Sequence, residues 1–305
     1  MFDLIGDIHG YANHLVRLLE LLGYEKRAGV YAHPERQVIF LGDFIDRGPQ
    51  IREVLQIARN MVEAGRALAV LGNHELNALA YHTPDPARPQ ESLRRHSPKN
   101  IHQHEQTKRQ LSSGDLNSYL DWFRTLPLWL ELDGLRVVHA CWDRRQIAEI
   151  ARFRPRNEPL SDEFLTSAYT PGLPLFAPVE VVAKGKEGPL PAGVSFEDKE
   201  RNRRTAVRLR WYLSPAGQTY RTYAFETHPI ECDEALSEDL LAEAEPYPEH
   251  APPVFIGHYW LAPTRPATLS ANVACLDYSV AKEGFLCAYR WSGESQLSNE
   301  NFVWT

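Results

Sequence analysis

Short apolar runs along this chain repeatedly end in a glycine followed by charged or amide residues. "FDLIG" leads into Asp7, "RQVIFLGD" reaches Asp43, and "ALAVLGNHE" reaches Asn73. Runs this short, closed by glycine, predict buried strands. Between them, "NHLVRLLELLG" and "IREVLQIARNMVEAG" place apolar residues at helical spacing, and the first stops at Gly23. A β-α-β-α-β series predicts parallel strands with helices packed on them. In such sheets, ligand-facing groups collect beyond the carboxyl ends of the strands. There the sequence has "GDIHG", "GDFIDRGP" and "GNHE".

The pattern then changes. From His82 to Asp121 the chain is polar, with a proline-rich entry ("TPDPARP"), and 82–118 reads as a helical insertion. "PLWLELD" and "GLRVVHA" are two further strands joined at Asp133-Gly134, a hairpin signal. Residues 151–250 hold 11 of the 22 prolines; 184–210 is basic, and 231–250 is acidic with no Lys or Arg. That block reads as a cap-like insertion within one domain spanning 1–305. Strand patterns return at "PPVFIGHYW", "NVACLDYSV" and "GFLCAYRW".

Composition narrows the class. With 305 residues, 43% hydrophobic and 24% charged, the chain can bury a sizeable core. A net charge of −7 argues against nucleic acid as a bulk partner, since phosphate backbones select basic surfaces. No apolar run approaches the ~18–20 residues that span a bilayer, and the opening "MFDLIGDIHG" lacks the pattern of a secretory leader. Cys141, Cys232, Cys275 and Cys287 show no paired spacing. The expectation is a soluble cytoplasmic protein with reduced thiols and no membrane partner.

Asp7, His9, Asp43, Asn73, His139 and His258 all sit at predicted strand ends. Carboxylate, imidazole and amide oxygen suit Mn²⁺, Fe²⁺ or Zn²⁺ without any thiolate. One aspartate can bridge two cations, and cations about 3.5–4 Å apart clamp a phosphoryl group for in-line displacement and acidify a bridging water. Each motif alone has a plain alternative. "GDIHG" and "DRGP" could be turns, His139 a core histidine, and Asn73 the start of a helix. Five such coincidences in one chain make a poor explanation.

Together, "GDIHG", "GDFIDRGP", "GNHE", "VVHA" and "IGHYW" resemble the signature of the calcineurin-like metallophosphoesterases. The likeness is to their phosphoprotein phosphatase branch, which includes serine/threonine phosphatases and bacterial diadenosine-tetraphosphatases. It covers roughly residues 2–80, 120–142 and 253–290. The resemblance implies a four-layer α/β/β/α sandwich with two divalent cations between the sheets, manganese first, with iron, zinc, magnesium or nickel also compatible. It implies that Asp7 and His9 hold one cation, Asp43 bridges both, and Asn73, His139 and His258 hold the second. Arg47 would grip phosphate, since its planar fork suits an oxyanion. His74 would protonate the leaving group, oriented by Asp46. Glu75 would support its neighbours without touching metal. The second histidine of the "GHxH" found in many metallophosphoesterases is missing, because Tyr259-Trp260 follow His258.

A second phosphate-binding arginine is expected between the two histidine motifs. The interval contains "RNRRTAVRLRW", whose Arg208 and Arg210 alternate with apolar residues and would share one strand face, although a solvated basic strand reads equally well. His96, His102 and His104 make a weak case for a further metal. Cys141 reads as a small core residue, and Trp211, Tyr212, Tyr220 and Tyr223 as packing rather than a nucleobase platform. The substrate could be a phosphoprotein or small phosphate ester, the leading expectation, or a dinucleoside polyphosphate. An inactive phosphate-binding scaffold is the remote alternative.

Overall fold

The computed structural model describes residues 1–154, 158–197, 203–225 and 230–305. Part of the basic stretch, 198–202, lies outside the described residues. In chain order the main strands are β1 (Phe2–Ile5), β2 (Gln37–Phe40), β3 (Ala67–Ala69), β4 (Trp129–Leu132), β5 (Leu135–Val138), β6 (Val254–Ile256), β7 (Val273–Cys275), β8 (Asp277–Tyr278), β9 (Phe285–Trp291) and β10 (Phe302–Trp304). One sheet runs β8-β9-β1-β2-β3, with β10 on β9; the other runs β7-β6-β5-β4. As the alternating pattern predicts, β1, β2 and β3 are parallel. Leu132 faces Leu135 across the β4–β5 hairpin, so Asp133-Gly134 is its two-residue turn, with Gly134 at φ 78°.

Strand alternation explains why these runs are apolar throughout. Leu4, Ile39 and Val137 face one core with Phe255 and Tyr289, whose rings lie 5.0 Å apart. Their neighbours Ile5, Val38, Phe40 and Val138 face the other way, into the core shared with the helices. Strands covered on both faces need no polar side, so the sheets bury continuous hydrophobic runs. The fold is α/β, with two mixed sheets joined through the first of these cores.

The flanking helices are α1 (Ala12–Leu21), α2 (Ile51–Glu63), α3 (Asn73–His82), α4 (Pro98–Gln110), α5 (Ser113–Thr125), α6 (Arg144–Phe153), α7 (Asp162–Tyr169) and α8 (Phe176–Lys184). α1 and α2 bury Leu15, Leu18, Leu19, Val54 and Leu55, each worth about 1.5–3 kcal/mol when fully removed from water. α4 starts because Ser97 accepts a hydrogen bond from the Asn100 amide and Pro98 occupies its first turn.

Residues 82–118 are not wholly helical: a hairpin of Pro84–Asp85 with Arg88–Ser92 precedes α4. The 158–250 region carries α7 and α8 and then short hairpins. These close over a small core of Val207, Leu209, Tyr220, Tyr223 and Leu240. Trp211 and Tyr212 pack into the main core, so all four aromatic residues are spent on packing. All four cysteines are free and buried. Among the described residues, no helix is long and apolar enough to cross a membrane.

Candidate metal centre

The strand ends meet because two glycines leave room. A Cβ on Gly72 would lie 2.1 Å from Asp43 Oδ1, and one on Gly257 would lie 2.0 Å from Asp7 Oδ1. These are the glycines of "GNHE" and "IGHYW". Four site residues other than glycine take left-handed backbone: His9 (φ 48°), Asp43 (51°), Asp46 (80°) and His258 (71°). Such angles cost about 1–3 kcal/mol each and persist where the surrounding frame enforces them, commonly at functional sites.

Asp43 lies at the centre. Its Oδ2 is 3.4 Å from His139 Nε2, 3.6 Å from His9 Nε2 and 3.9 Å from His74 Nε2. Backbone carbonyls set two of these rings. His9 Nδ1–H donates to Ile45 (3.0 Å) and His139 Nδ1–H to Leu41 (2.7 Å), so both Nε2 atoms face Asp43. Asn73 Oδ1 stands between His139 Nε2 (3.1 Å) and His258 Nδ1 (2.7 Å). The Asp7 carboxylate accepts the His258 amide at 3.1 Å. Glu75 accepts the amides of Asp43 and Phe44, both at 2.8 Å, and of Gly72 at 3.1 Å, which ties the two loops together. Sequence reasoning gave Glu75 no specific partner.

Burial and close packing shift the titrating groups of this cluster strongly. Burial, then the Asp277 and Asp43 carboxylates, push Asp7 well above the usual carboxylate range. Asp277 is pushed up as well, by burial first. Burial opposes charge on His139, but Asp43 drives it up to about 10. Burial and His74 hold His9 down to about 3, and burial with Arg208 holds His258 well below its ordinary value. His9 Nε2 and His258 Nε2 are buried with no hydrogen-bond partner. Crowded buried carboxylates beside orphaned imidazole nitrogens are a donor set suited to divalent cations. Among the described residues, two clusters have ligand atoms close enough for one ion each: His9, Asp43 and His74; and Asp43, His139 and His258. Geometry alone therefore puts His74 in the first cluster where the resemblance puts Asp7.

Asp46 Oδ2 accepts His74 Nδ1–H at 2.6 Å, and its Oδ1 accepts His104 Nδ1–H at 2.8 Å and the Thr107 hydroxyl at 2.7 Å. Burial works against the charge on Asp46, yet its bonds to His104 and His74 hold it below the usual range. Burial likewise opposes charge on His74, and Asp43 and Asp46 raise it. His104 and Thr107 are the residues that sequence reasoning missed. The sequence carries no signal for them; in the structure they are a buried pair at i and i+3 on a polar helix, and such a pair needs polar partners. His102 instead turns outward, 3.7 Å from Glu105, so the His102–His104 pair shares no site.

Arg47 stacks on Trp260 at 4.1 Å, with Lys282 also over that ring at 5.5 Å. Both line an open cleft of about 1210 Å³ that reaches Asp43, Asn73, His74 and His258. Arg208 lines the cleft, but Arg210 does not. Arg210 Nε donates to the Ala224 carbonyl at 2.9 Å and its guanidinium lies over Phe225. Burial alternates through 206–210, and a bridge from Leu209 to Ala224 carries the pairing past Arg208, so both arginines stand at partly buried positions flanking buried Leu209.

The sequence profile described as calcineurin-like phosphoesterase matches residues 1–209. An asymmetrical bis(5′-nucleosyl)-tetraphosphatase of Halalkalibacterium halodurans is 46% identical over 74 residues, covering 24% of this chain and 30% of that protein. A symmetrical bis(5′-nucleosyl)-tetraphosphatase of Hamiltonella defensa is 34% identical over 149 residues, 47% of this chain and 46% of that protein. The chain thus spans less than half the length of these curated relatives. A Saccharomyces cerevisiae serine/threonine phosphatase structure aligns over the whole chain and 78% of its own, with TM-score 0.49 and 13% identity. By the extent of the profile match, which takes in the first three strand-end motifs and "VVHA", the chain belongs to the calcineurin-like phosphoesterase family.

Proposed function

We propose that this chain is a metal-dependent hydrolase of dinucleoside polyphosphates, working in the cytoplasm with two divalent cations, manganese first among them. The observation that carries this reading is the cleft. Its volume of about 1210 Å³ exceeds the ~300–1,000 Å³ of ordinary small-ligand sites. Arg47, Lys99, Lys184, Arg204, Arg208 and Lys282 line it in a chain of net charge −7. A lone phosphomonoester fills little of that space and uses few of those charges. The relatives' names point the same way, so the phosphomonoesterase expectation takes second place.

The ligand roles follow the resemblance: Asp7 and His9 for one cation, Asn73, His139 and His258 for the other, Asp43 between. Bound there, the cations would supply positive charge at phosphorus and acidify water. Arg47, held flat against Trp260, grips the phosphoryl oxygens. His74 donates its Nε2 proton to the leaving oxygen as the phosphorus–oxygen bond breaks, while Asp46 keeps Nδ1 protonated and the ring aligned. Arg208, near enough to affect His258, is the candidate for the second phosphate contact. The 82–118 and 151–250 segments serve as cleft walls, through Arg94 and Lys99 on one side and Phe176, Lys184 and Arg204 on the other.

A panel under Mn²⁺, with and without chelator, tests this: diadenosine tetraphosphate, a phosphoserine peptide and p-nitrophenyl phosphate. The expected result is chelator-sensitive turnover with the highest kcat/KM on the dinucleotide. Preference for the peptide restores the phosphoprotein reading. No turnover with Mn²⁺, Fe²⁺, Zn²⁺, Mg²⁺ or Ni²⁺ leaves the scaffold reading.

A further inference from the structure

The acid–orienter pair does not end at Asp46. A carboxylate with one histidine on Oδ2 could still swing about its Cβ–Cγ bond, and each swing would move the His74 ring. Here the other oxygen is pinned twice, by His104 Nδ1–H at 2.8 Å and the Thr107 hydroxyl at 2.7 Å. Thr107 also accepts the Asp46 amide at 3.0 Å, so the backbone of the loop is held with its side chain. Asp46 sits at φ 80°, a conformation that needs such external support. His104 is fixed in turn. Its Nδ1 faces a carboxylate and carries the proton, and its Nε2 meets His82 Nε2 at 3.2 Å. Burial, with His104 next, holds His82 down to about 4, and this buttressing ring contact limits how far the His104 ring can turn.

We propose that His104, seconded by Thr107 and set by His82, is a positioning residue that locks Asp46 and through it aims His74 at the leaving group. This rests on the acid role given to His74 above. All three partners come from the 82–118 segment or its first residue, and α4 also turns Lys99, Gln103 and Gln106 to the cleft. One helix therefore both lines the substrate space and holds the orienter of the acid.

The test compares His104→Phe, which keeps a ring and removes the donor, with His104→Asn, whose amide can replace Nδ1–H. With diadenosine tetraphosphate, His104→Phe should lower kcat about 10–100-fold, the usual cost of losing such a support. KM and bound metal should stay unchanged, and p-nitrophenyl phosphate should suffer less. His104→Asn should recover most of the loss. In histidine-labelled protein, the downfield Nδ1–H resonance of His74 should shift or broaden in His104→Phe and return in His104→Asn. Equal rates and an unmoved resonance in both variants would overturn the inference, as would a loss in His104→Phe that Asn fails to rescue. Should His104→Phe not fold, Thr107→Val carries the same readouts, because it removes the second donor to Oδ1. The resonance also separates the two ideas. An inactive wild type with a His104-dependent signal defeats the function, and an active one with an indifferent signal defeats the positioning.

Discussion

Gly72→Ala puts the packing of the metal centre to a direct test. Gly72 has φ −87° and ψ 172°, which alanine adopts freely, so the substitution costs nothing in backbone strain. Its cost is steric. The new methyl would lie 2.1 Å from Asp43 Oδ1, 2.4 Å from the Asp43 amide nitrogen and 2.9 Å from Cγ. Reaching even 3.0 Å requires the carboxylate oxygen to retreat by about 0.9 Å, the difference between 3.0 and 2.1. It has nowhere to go cheaply, since Oδ1 accepts the His74 amide at 3.0 Å and the Asp43 amide is tied to Glu75 at 2.8 Å.

Overpacking of this kind costs about 1–3 kcal/mol. At about 2.1 cal/mol/K of unfolding entropy per residue over 305 residues, that corresponds to a Tm loss of about 1.5–5 °C. A displacement near 1 Å at the centre should lower turnover by about 10²-fold. The assay is thermal unfolding with and without chelator, metal content by mass spectrometry, and turnover under Mn²⁺. Gly114→Ala is the control: nothing lies within 4 Å of its methyl, and alanine inside α5 should stabilise by up to about 1 kcal/mol. Gly72→Ala protein with wild-type metal content, Tm and rate would refute the claim that Asp43 is held where two loops touch.

His74→Asn should keep its bound metal if the resemblance assigns the ligands correctly, yet lose about 10²–10⁴-fold in rate on a poor leaving group. Loss of one ion, read by mass spectrometry, would instead make His74 a ligand, as the His9–Asp43–His74 cluster allows. Arg208→Ala should raise KM for the dinucleotide more than for p-nitrophenyl phosphate and flatten its salt dependence. Arg210→Ala should leave that ranking alone and lower Tm, because its guanidinium serves the Ala224 carbonyl and Phe225.

How much of this was legible in the sequence depends on the kind of signal. β1, β2 and β3 were readable because each is a short apolar run stopped by glycine, and Asp133-Gly134 because a two-residue hairpin needs such a pair. The division into two sheets was not readable from periodicity. Leu4 faces one core and Ile5 the other, and a strand buried on both faces shows no alternation to say which neighbour lies where. The strand-end residues were readable as a set because their types share one chemistry. Glu75 could not be given a partner, since its three backbone amides come from loops whose approach depends on Gly72. The alternation that joined Arg208 to Arg210 persists in their burial, but it carried no information on which of the two lines the cleft, and that is Arg208.

His104 shows the remaining limit, and it also explains the cost of this site. A histidine in a polar helix carries no pattern until its partner is known, and that partner lies 58 residues earlier. Asp46 in turn stands at φ 80°, as His9, Asp43 and His258 stand at φ 48°, 51° and 71°. Glycine at these four positions would relieve about 1–2 kcal/mol of backbone strain apiece. It would also remove Asp43, a carboxylate that adds to burial and Asp277 in pushing Asp7 up. A chain selected for stability alone would therefore carry glycines there. This one keeps two carboxylates and two imidazoles in strained backbone, in a pocket where burial disfavours the charged form of each. Divalent cations held there would offset that burial by coordination, and the network from Glu75 to His104 holds the loops in place.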